Sequence, residues 1–379
     1  MTLLIVGHPF HFEMENLCRV FFPADEIRRV TPAESARDRL VWRIRTNRLR
    51  MNRQRASPWA LTRHRAEKDG WVLEAACGRQ GRCWRAKRNL PPGTDRNARE
   101  LALARLLFAV FRRATSYCPP WGLLTGVRPS KLMLQLRADG GGAAAARYFR
   151  ESLWVSEEKT ALAARVAAAE EPVLALTRPE TCSLYVAIPF CPSRCSYCSF
   201  VSHTVERSSA ARLVPEYLEK LREELLRTAE IVRILGLRVA SVYVGGGTPT
   251  ILTAVQLANL CETLRTAFNW GDCGEFTVEA GRPDTITAEK LTVLKEAGVT
   301  RVSVNPQSLD DEVLRLAGRR HTAADALAAL RLVREAGFRE INMDLIAGLP
   351  GDSPAGFRRS LEGVRACAPE NITVHTLAR

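Results

Sequence analysis

Cys191, Cys195 and Cys198 stand in the run Cys191-Pro-Ser-Arg-Cys195-Ser-Tyr-Cys198, a C-x3-C-x2-C spacing directly after an apolar stretch that begins at Ser183 and ends at Phe190. Thiolates this close can wrap a single iron–sulfur cluster. Three ligands rather than four leave one iron without a protein partner, and an open coordination position is where a bound metal does chemistry rather than hold a fold. Two other uses stand beside this one, a zinc knuckle and a disulfide with a spare thiol. Zinc sites pair two short Cys/His groups and close four ligands, so the spacing fits cluster ligation better than either.

Other residues could complete such a site. Gly245-Gly246-Gly247-Thr248-Pro-Thr follows a strand-like run. Three glycines let the backbone approach a ligand and expose its amides, a reading that competes with a plain turn and gains from the cysteines nearby. Tyr185 lies six residues before Cys191, and Tyr197 immediately before Cys198. Each is either a core aromatic with its hydroxyl at a wet edge or a ligand contact. Glu279, Gln307, Arg319 and Asp344 fall at or just beyond the ends of three successive strand candidates, where a carboxylate is costly to bury unless paired. His321 and His375 are the nearest histidines; a lone histidine is ordinarily a hydrogen-bonded core or surface residue, but it can serve as acid, base or ligand. Cys182 and the remaining cysteines read as small core or surface residues.

The cysteine spacing, the aromatic before the third cysteine and the glycine-rich strand end resemble the radical S-adenosylmethionine superfamily, from about Thr181 onward. In that family a [4Fe-4S] cluster holds S-adenosylmethionine on its open iron, and one electron cleaves a carbon–sulfur bond to give a 5′-deoxyadenosyl radical. The resemblance implies that Cys191, Cys195 and Cys198 ligate the cluster. It places Gly246, Gly247 and Thr248 at the amino group of S-adenosylmethionine, Tyr197 beside the adenine, and Tyr185 in contact with the cofactor. It places Glu279, Gln307, Arg319 and Asp344 around the ribose and carboxylate.

Several strings are similar to the oxygen-independent coproporphyrinogen III oxidase group: Tyr185-Val-Ala-Ile-Pro-Phe-Cys191, the glycine-rich run, Gly318-Arg-Arg-His321 and Met343-Asp-Leu-Ile-Ala-Gly-Leu-Pro350. Glu279-Ala-Gly-Arg-Pro-Asp284, Ser303-Val-Asn-Pro-Gln-Ser308 and Leu124-Thr-Gly-Val-Arg-Pro-Ser-Lys131 resemble its HemZ-type coproporphyrinogen dehydrogenase branch. The implied reaction is oxidative decarboxylation of two propionates of coproporphyrinogen III, giving protoporphyrinogen IX. It implies a tetrapyrrole substrate and an electron donor such as flavodoxin or ferredoxin. One departure is Phe200, where oxidases of this group carry a further cysteine and related heme-binding chaperones carry an aromatic. The rival reading is therefore a heme chaperone of the same family without dehydrogenase activity.

Short β-branched runs alternate with helical patterns from Ser183 onward. The strand candidates are 183–188, 239–244, 275–280, 300–305, 340–346 and 371–376, each reading as a strand buried on both faces. Helical patterns cover 214–235, 254–268, 288–297, 323–336 and 354–367, three of them ending at Gly236, Gly298 and Gly337. Such alternation predicts an α/β fold, a partial (β/α)6 TIM-like barrel over 181–379, with its chemistry at the C-terminal strand ends. The chain stops at Arg379, directly after the sixth strand, which reads as a fragment lacking the covering helix.

Residues 1–175 read as a separate basic α+β domain. Strands are expected at 3–6, 40–44, 71–76 and 82–86, with a hairpin turn at Gly78-Arg-Gln-Gly81. Helices are expected at 99–113, 143–154 and 156–170, followed by a linker at 170–179. The net charge is +14, and residues 1–120 hold 24 basic residues against 11 acidic ones. A basic domain can bind nucleic acid or an acidic small molecule. Only seven of the 55 basic residues are lysine and no nucleic-acid module signature appears, so nucleic acid is disfavoured. The arginines could instead pair bidentately with a tetracarboxylate substrate. No apolar run approaches the ~18 residues of a membrane span, and the opening residues lack a basic signal region, so the expected location is cytoplasmic.

Overall fold

The structure, a computed structural model, describes residues 1–31, 57–126, 128–200, 202–205, 208–271 and 273–377. It divides into two compact units, Met1–Leu176 and Thr177–Arg379.

The first unit carries a five-stranded sheet in the order β2-β1-β3-β4-β5, with β1 (Thr2–Val6), β2 (Arg28–Val30), β3 (Trp59–Glu67), β4 (Gly70–Arg79) and β5 (Arg82–Leu90). The β4–β5 turn at Gln80 and Gly81 has φ of 50° and 75°, the doubly positive conformation that suits a two-residue hairpin. Helices α1 (His11–Phe21) and α2 (Arg96–Thr115) supply Leu17, Leu103 and Phe108 to the core beneath the sheet. The expected strand at 40–44 lies outside the described residues.

Helix α1 and strand β2 were not anticipated, and three further elements differ from expectation. Strand β3 was hidden because its interior is polar, with Thr62 and His64 buried beside Ala60 and Leu61. The helix expected at 143–154 starts earlier: α3 spans Pro129–Arg147, broken at Gly141 (φ 82°, ψ 164°), and then widens into a π-turn, Tyr148–Ser152. Helix α4 (Glu157–Leu174) is capped by the Ser156 hydroxyl, which accepts from the Lys159 amide, and continues through Pro172 into the expected linker.

The second unit is a six-stranded, all-parallel sheet of β6 (Thr181–Ile188), β9 (Arg238–Gly246), β10 (Glu275–Ala280), β11 (Arg301–Gln307), β12 (Glu340–Ala347) and β13 (Asn371–Thr376), neighbours in that order. Sequential neighbours joined by right-handed crossovers put every helix on one face of a curled half-barrel. Those helices are α5 (Ser208–Ile234), α6 (Ala254–Ala267), α7 (Ala288–Glu296), α8 (Asp311–Leu316), α9 (Ala323–Glu335) and α10 (Pro354–Ala366). Thr253 with Gln256 and Thr322 with Asp325 form reciprocal capping boxes that start α6 and α9. Helix α8 is short and was not anticipated.

The strands are not apolar on both faces. Val242, Val244, Val302, Val304, Ile341 and Met343 pack toward the helices, each worth about 1.5–3 kcal/mol of burial. The alternate residues face the inside of the barrel, because side chains alternate with period two. There Ser303 donates to Asn305 Oδ1 (2.7 Å), Asn342 Nδ2 donates to Ser303 Oγ (2.8 Å), and Thr373 donates to Asn342 Oδ1 (2.9 Å). The barrel interior is therefore a hydrogen-bonded polar surface leading up to the strand ends.

Candidate functional site

After β6 the chain forms a two-residue strand β7 (Phe190–Cys191) paired in parallel with β8 (His203–Thr204), and the three cysteines lie at the start of and within the intervening loop. The loop is tethered at several points. The Val205 amide donates to Cys191 O (3.0 Å), Ser196 to Ala317 O (3.0 Å), and Cys198 to Cys195 O (3.2 Å). Cys195 is buried, Cys191 and Cys198 partly so, and all three thiols are free. Among the described residues no three His, Cys, Asp or Glu side chains close on one point as they would around a single metal ion. A cluster does not require that, since each cysteine bonds a different iron. Cys182 is at the opposite end of β6, paired with Val239, away from this loop.

The glycine-rich run is fastened to the cysteine segment by backbone bonds from Gly247 N to Ile188 O (2.9 Å) and Thr248 N to Phe190 O (2.8 Å). Thr248 Oγ1 also reaches Cys191 Sγ at 3.5 Å. The fit is close: a Cβ on Gly247 would stand 2.5 Å from Phe190 O. Beyond it, the Thr250 and Thr285 hydroxyls bond at 2.6 Å, and half-buried Lys290 donates to both Thr250 O (2.7 Å) and Thr285 O (3.0 Å). Burial pushes the Lys290 ammonium below its ordinary pKa. Neither Lys290 nor the pairing it makes was visible in the sequence.

Glu279, at the end of β10, accepts a 2.5 Å hydrogen bond from the Tyr243 hydroxyl. Burial raises the Glu279 pKa above its ordinary 4.5, the Tyr243 bond pulls it back, and Asp344 raises it again. Tyr243 stacks on Tyr185 at 5.8 Å and is pushed well above the usual tyrosine range, by burial first and then by Glu279. Tyr243 was missed, although its period-two alignment with Gly245 and its register opposite Tyr185 marked it. Tyr185 itself is 63% exposed. Asp344 accepts from Asn342 Nδ2 at 2.6 Å.

Arg319 is buried and spans two strand ends, donating to Asn305 O (2.5 Å) and Gly281 O (3.0 Å). Gln307 is buried at φ +68°, a conformation that costs a non-glycine residue about 1–3 kcal/mol. Tyr197 packs against Val313, Ala317 and Ile346 and lies beside Cys195 and Arg319; burial raises its pKa, and the Arg319 charge opposes that. His321 is buried near Arg319 and Arg282, and burial lowers its pKa to about 4, so it is neutral at pH 7. His375 is exposed on β13 and makes none of these contacts.

Four side-chain atoms here are buried without a partner: Arg282 Nη1, Gln307 Oε1, Arg319 Nε and His321 Nδ1. Buried polar atoms are rarely left unpaired, and so many at one strand-end rim suit a polar ligand. With a glycine cradle too tight for any Cβ and three free thiols beside it, the residues fit an iron–sulfur cluster carrying a zwitterionic nucleoside.

The sequence pattern of the Radical SAM superfamily matches residues 185–363. The oxygen-independent coproporphyrinogen-III oxidase-like protein HemZ of Bacillus subtilis is 38% identical over 269 residues, covering 70% of this chain and 53% of that protein. The heme chaperone HemW of Bacillus subtilis is 36% identical over 196 residues, covering 52% of this chain and 50% of that protein. Among solved structures, the coproporphyrinogen III oxidase HemN of Escherichia coli aligns with a TM-score of 0.47 at 32% identity, covering 55% of this chain and 47% of that one. The chain spans about half the length of the curated relatives it matches. No helix among the described residues is long and apolar enough to cross a membrane. The superfamily's cofactors are a [4Fe-4S] cluster and S-adenosylmethionine, the two groups that the cysteine loop and the strand-end rim suit, and residues 185–363 form a radical SAM domain.

Proposed function

We propose that the chain catalyses oxygen-independent oxidative decarboxylation of coproporphyrinogen III to protoporphyrinogen IX. The supporting observation is the extent of the similarity to the HemZ protein. At 70% of this chain it is longer than the whole unit Thr177–Arg379, so it takes in part of the first unit as well. The similarity to the HemW chaperone covers only 52%.

When bound, the cluster and S-adenosylmethionine supply a carbon radical that abstracts hydrogen. The protein's own part is positional. Cys191, Cys195 and Cys198 hold the cluster, and Gly246, Gly247 and Thr248 present backbone to the amino group. Glu279, held by Tyr243, accepts from ribose hydroxyls, as a carboxylate with two acceptor oxygens can. Gln307, Arg319 and Asp344 would line the remaining rim, Tyr197 would lie beside the adenine, and Tyr185 would touch the cofactor. The polar interior below offers hydrogen bonds to a carboxylated substrate.

Two measurements test this reading. Anaerobic turnover of the cluster-loaded chain with S-adenosylmethionine, a reductant and coproporphyrinogen III yields protoporphyrinogen IX with methionine and 5′-deoxyadenosine; cofactor cleavage without porphyrinogen conversion contradicts the substrate. The second addresses Glu279. With its pKa raised in the fold, its stabilising contribution is full below pH 4.5 and lost as pH rises through the raised value. Tyr243→Phe removes the donor that favours the ionised form, so the midpoint of S-adenosylmethionine binding against pH moves upward, with about a tenfold loss of affinity near that midpoint. An unmoved midpoint shows that Glu279 does not titrate with binding.

A second reading, heme transfer without decarboxylation, draws on Phe200, which is 66% exposed two residues beyond Cys198. Stoichiometric Soret binding on heme titration, with no porphyrinogen turnover, would establish it.

A further inference from the structure

Arg282 is a buried cation that pairs with no carboxylate among the described residues. It is 2% exposed, and among the described residues its hydrogen bonds all come from Nη2: to Ser193 O (2.8 Å), Ser193 Oγ (3.1 Å) and Cys195 Sγ (3.2 Å). Nη1 is buried with no partner at all. The acidic neighbour two residues on, Asp284, points to solvent. Burying a guanidinium without an anion is expensive, so the fold must supply one. Among the described residues no carboxylate pairs with it, and the sulfur of Cys195, which Nη2 contacts, is charged once it is a thiolate.

The surroundings fix this aim. Pro283 follows Arg282 and holds it extended, at φ −130° and ψ 114°. The Arg282 carbonyl accepts from both the amide (3.0 Å) and the hydroxyl (2.8 Å) of Thr285. Arg319 clamps the preceding carbonyl, that of Gly281. The side chain thus leaves a backbone held on both sides, and it ends on the cysteine loop.

We infer that Arg282 is a positioning residue for Cys195, pinning the cysteine loop through Ser193 and making a cluster held there easier to reduce. Hydrogen bonds to cluster sulfurs and nearby charge set such potentials. Reduction adds one electron and no proton, from a one-electron carrier or, in vitro, from dithionite. A fixed positive charge stabilises the more negative product of that step. The inference rests on the cluster alone and is independent of the substrate reading.

The test uses the full chain, reconstituted anaerobically with iron and sulfide, as wild type, Arg282→Gln and Arg282→Lys, without porphyrinogen. Iron and acid-labile sulfide report loading, and electron paramagnetic resonance at a fixed poised potential reports the ratio of reduced to oxidised cluster. Arg282→Gln, which loses the charge, lowers that ratio about tenfold, equivalent to ~59 mV for one electron. Arg282→Lys keeps the charge but, as a point donor, loses the fork, and lowers it less. A fully loaded Arg282→Gln whose ratio stays within about twofold of wild type overturns the inference. Should Arg282→Gln not fold, Arg282→Lys decides: wild-type loading together with a wild-type ratio overturns it, and a fall in either supports it.

Discussion

Cys195→Ala leaves the chain folded but without its cluster: iron and acid-labile sulfide fall to background, and cleavage of S-adenosylmethionine falls below detection. Cys195 is the buried member of the three and the one Arg282 contacts. A three-cysteine site has no spare ligand, since one iron is already without a protein partner, and removing one thiolate leaves two irons unheld. Alanine also leaves the Arg282 guanidinium buried with no anion, a further penalty of several kcal/mol at the loop. Cys182→Ala is the matched control, because that thiol sits at the far end of β6 and its loss leaves cluster content and cleavage unchanged. Retained cleavage in Cys195→Ala, measured as 5′-deoxyadenosine released under dithionite, would falsify the assignment of the cysteine loop as the cluster site.

Gly247→Ala is the second large effect, and its cause is steric. The added Cβ meets Phe190 O at 2.5 Å and both Ile188 O and Phe190 N at 2.9 Å. All three are backbone atoms, so no side chain can swing aside. The strand end and the cysteine segment must separate, which strains or breaks the Gly247-to-Ile188 and Thr248-to-Phe190 hydrogen bonds. Overpacking costs about 1–3 kcal/mol, and each lost bond about 1 kcal/mol. A total of about 2–4 kcal/mol lowers the melting temperature by roughly 5–15 °C for a unit of this size. Affinity for S-adenosylmethionine falls at least tenfold, because the displaced strand end is the segment that presents its backbone to the ligand's amino group. Gly274→Ala separates this from a general glycine effect: an added Cβ there meets nothing within 4 Å, so melting and affinity stay near wild type. Equal losses in both variants contradict the cradle.

The half-barrel was legible because its signals are local. Each strand is a short β-branched run, and each helix from α6 on begins at a Ser, Thr or Asp cap. What misled was the assumption that parallel strands are apolar on both faces. Ser303, Asn342 and Thr373 satisfy one another across strands, a solution that only the three-dimensional register provides. In the first unit, β3 escaped for a related reason, since its buried Thr62 bonds His8 rather than showing an apolar pattern.

The candidate site divides in the same way. Cysteine spacing and the glycine run announce themselves along the chain, and so do polar residues at strand ends. Tyr243, Lys290 and Arg282 do not, because each acts on a partner 36 or more residues away in sequence. His321 and His375, equal candidates in the sequence, separate in the structure: one is buried among arginines, the other exposed.

Lys290 and the Thr250–Thr285 pair join the loop after β9 to the loop after β10. The first of these carries the glycine cradle, and the second carries Arg282, so a displacement of one is transmitted to the other. Free energy around a closed cycle sums to zero, which makes such a link symmetrical. However much a nucleoside seated on the glycines alters the ease of adding an electron near Cys195, adding that electron alters the nucleoside's affinity by the same factor.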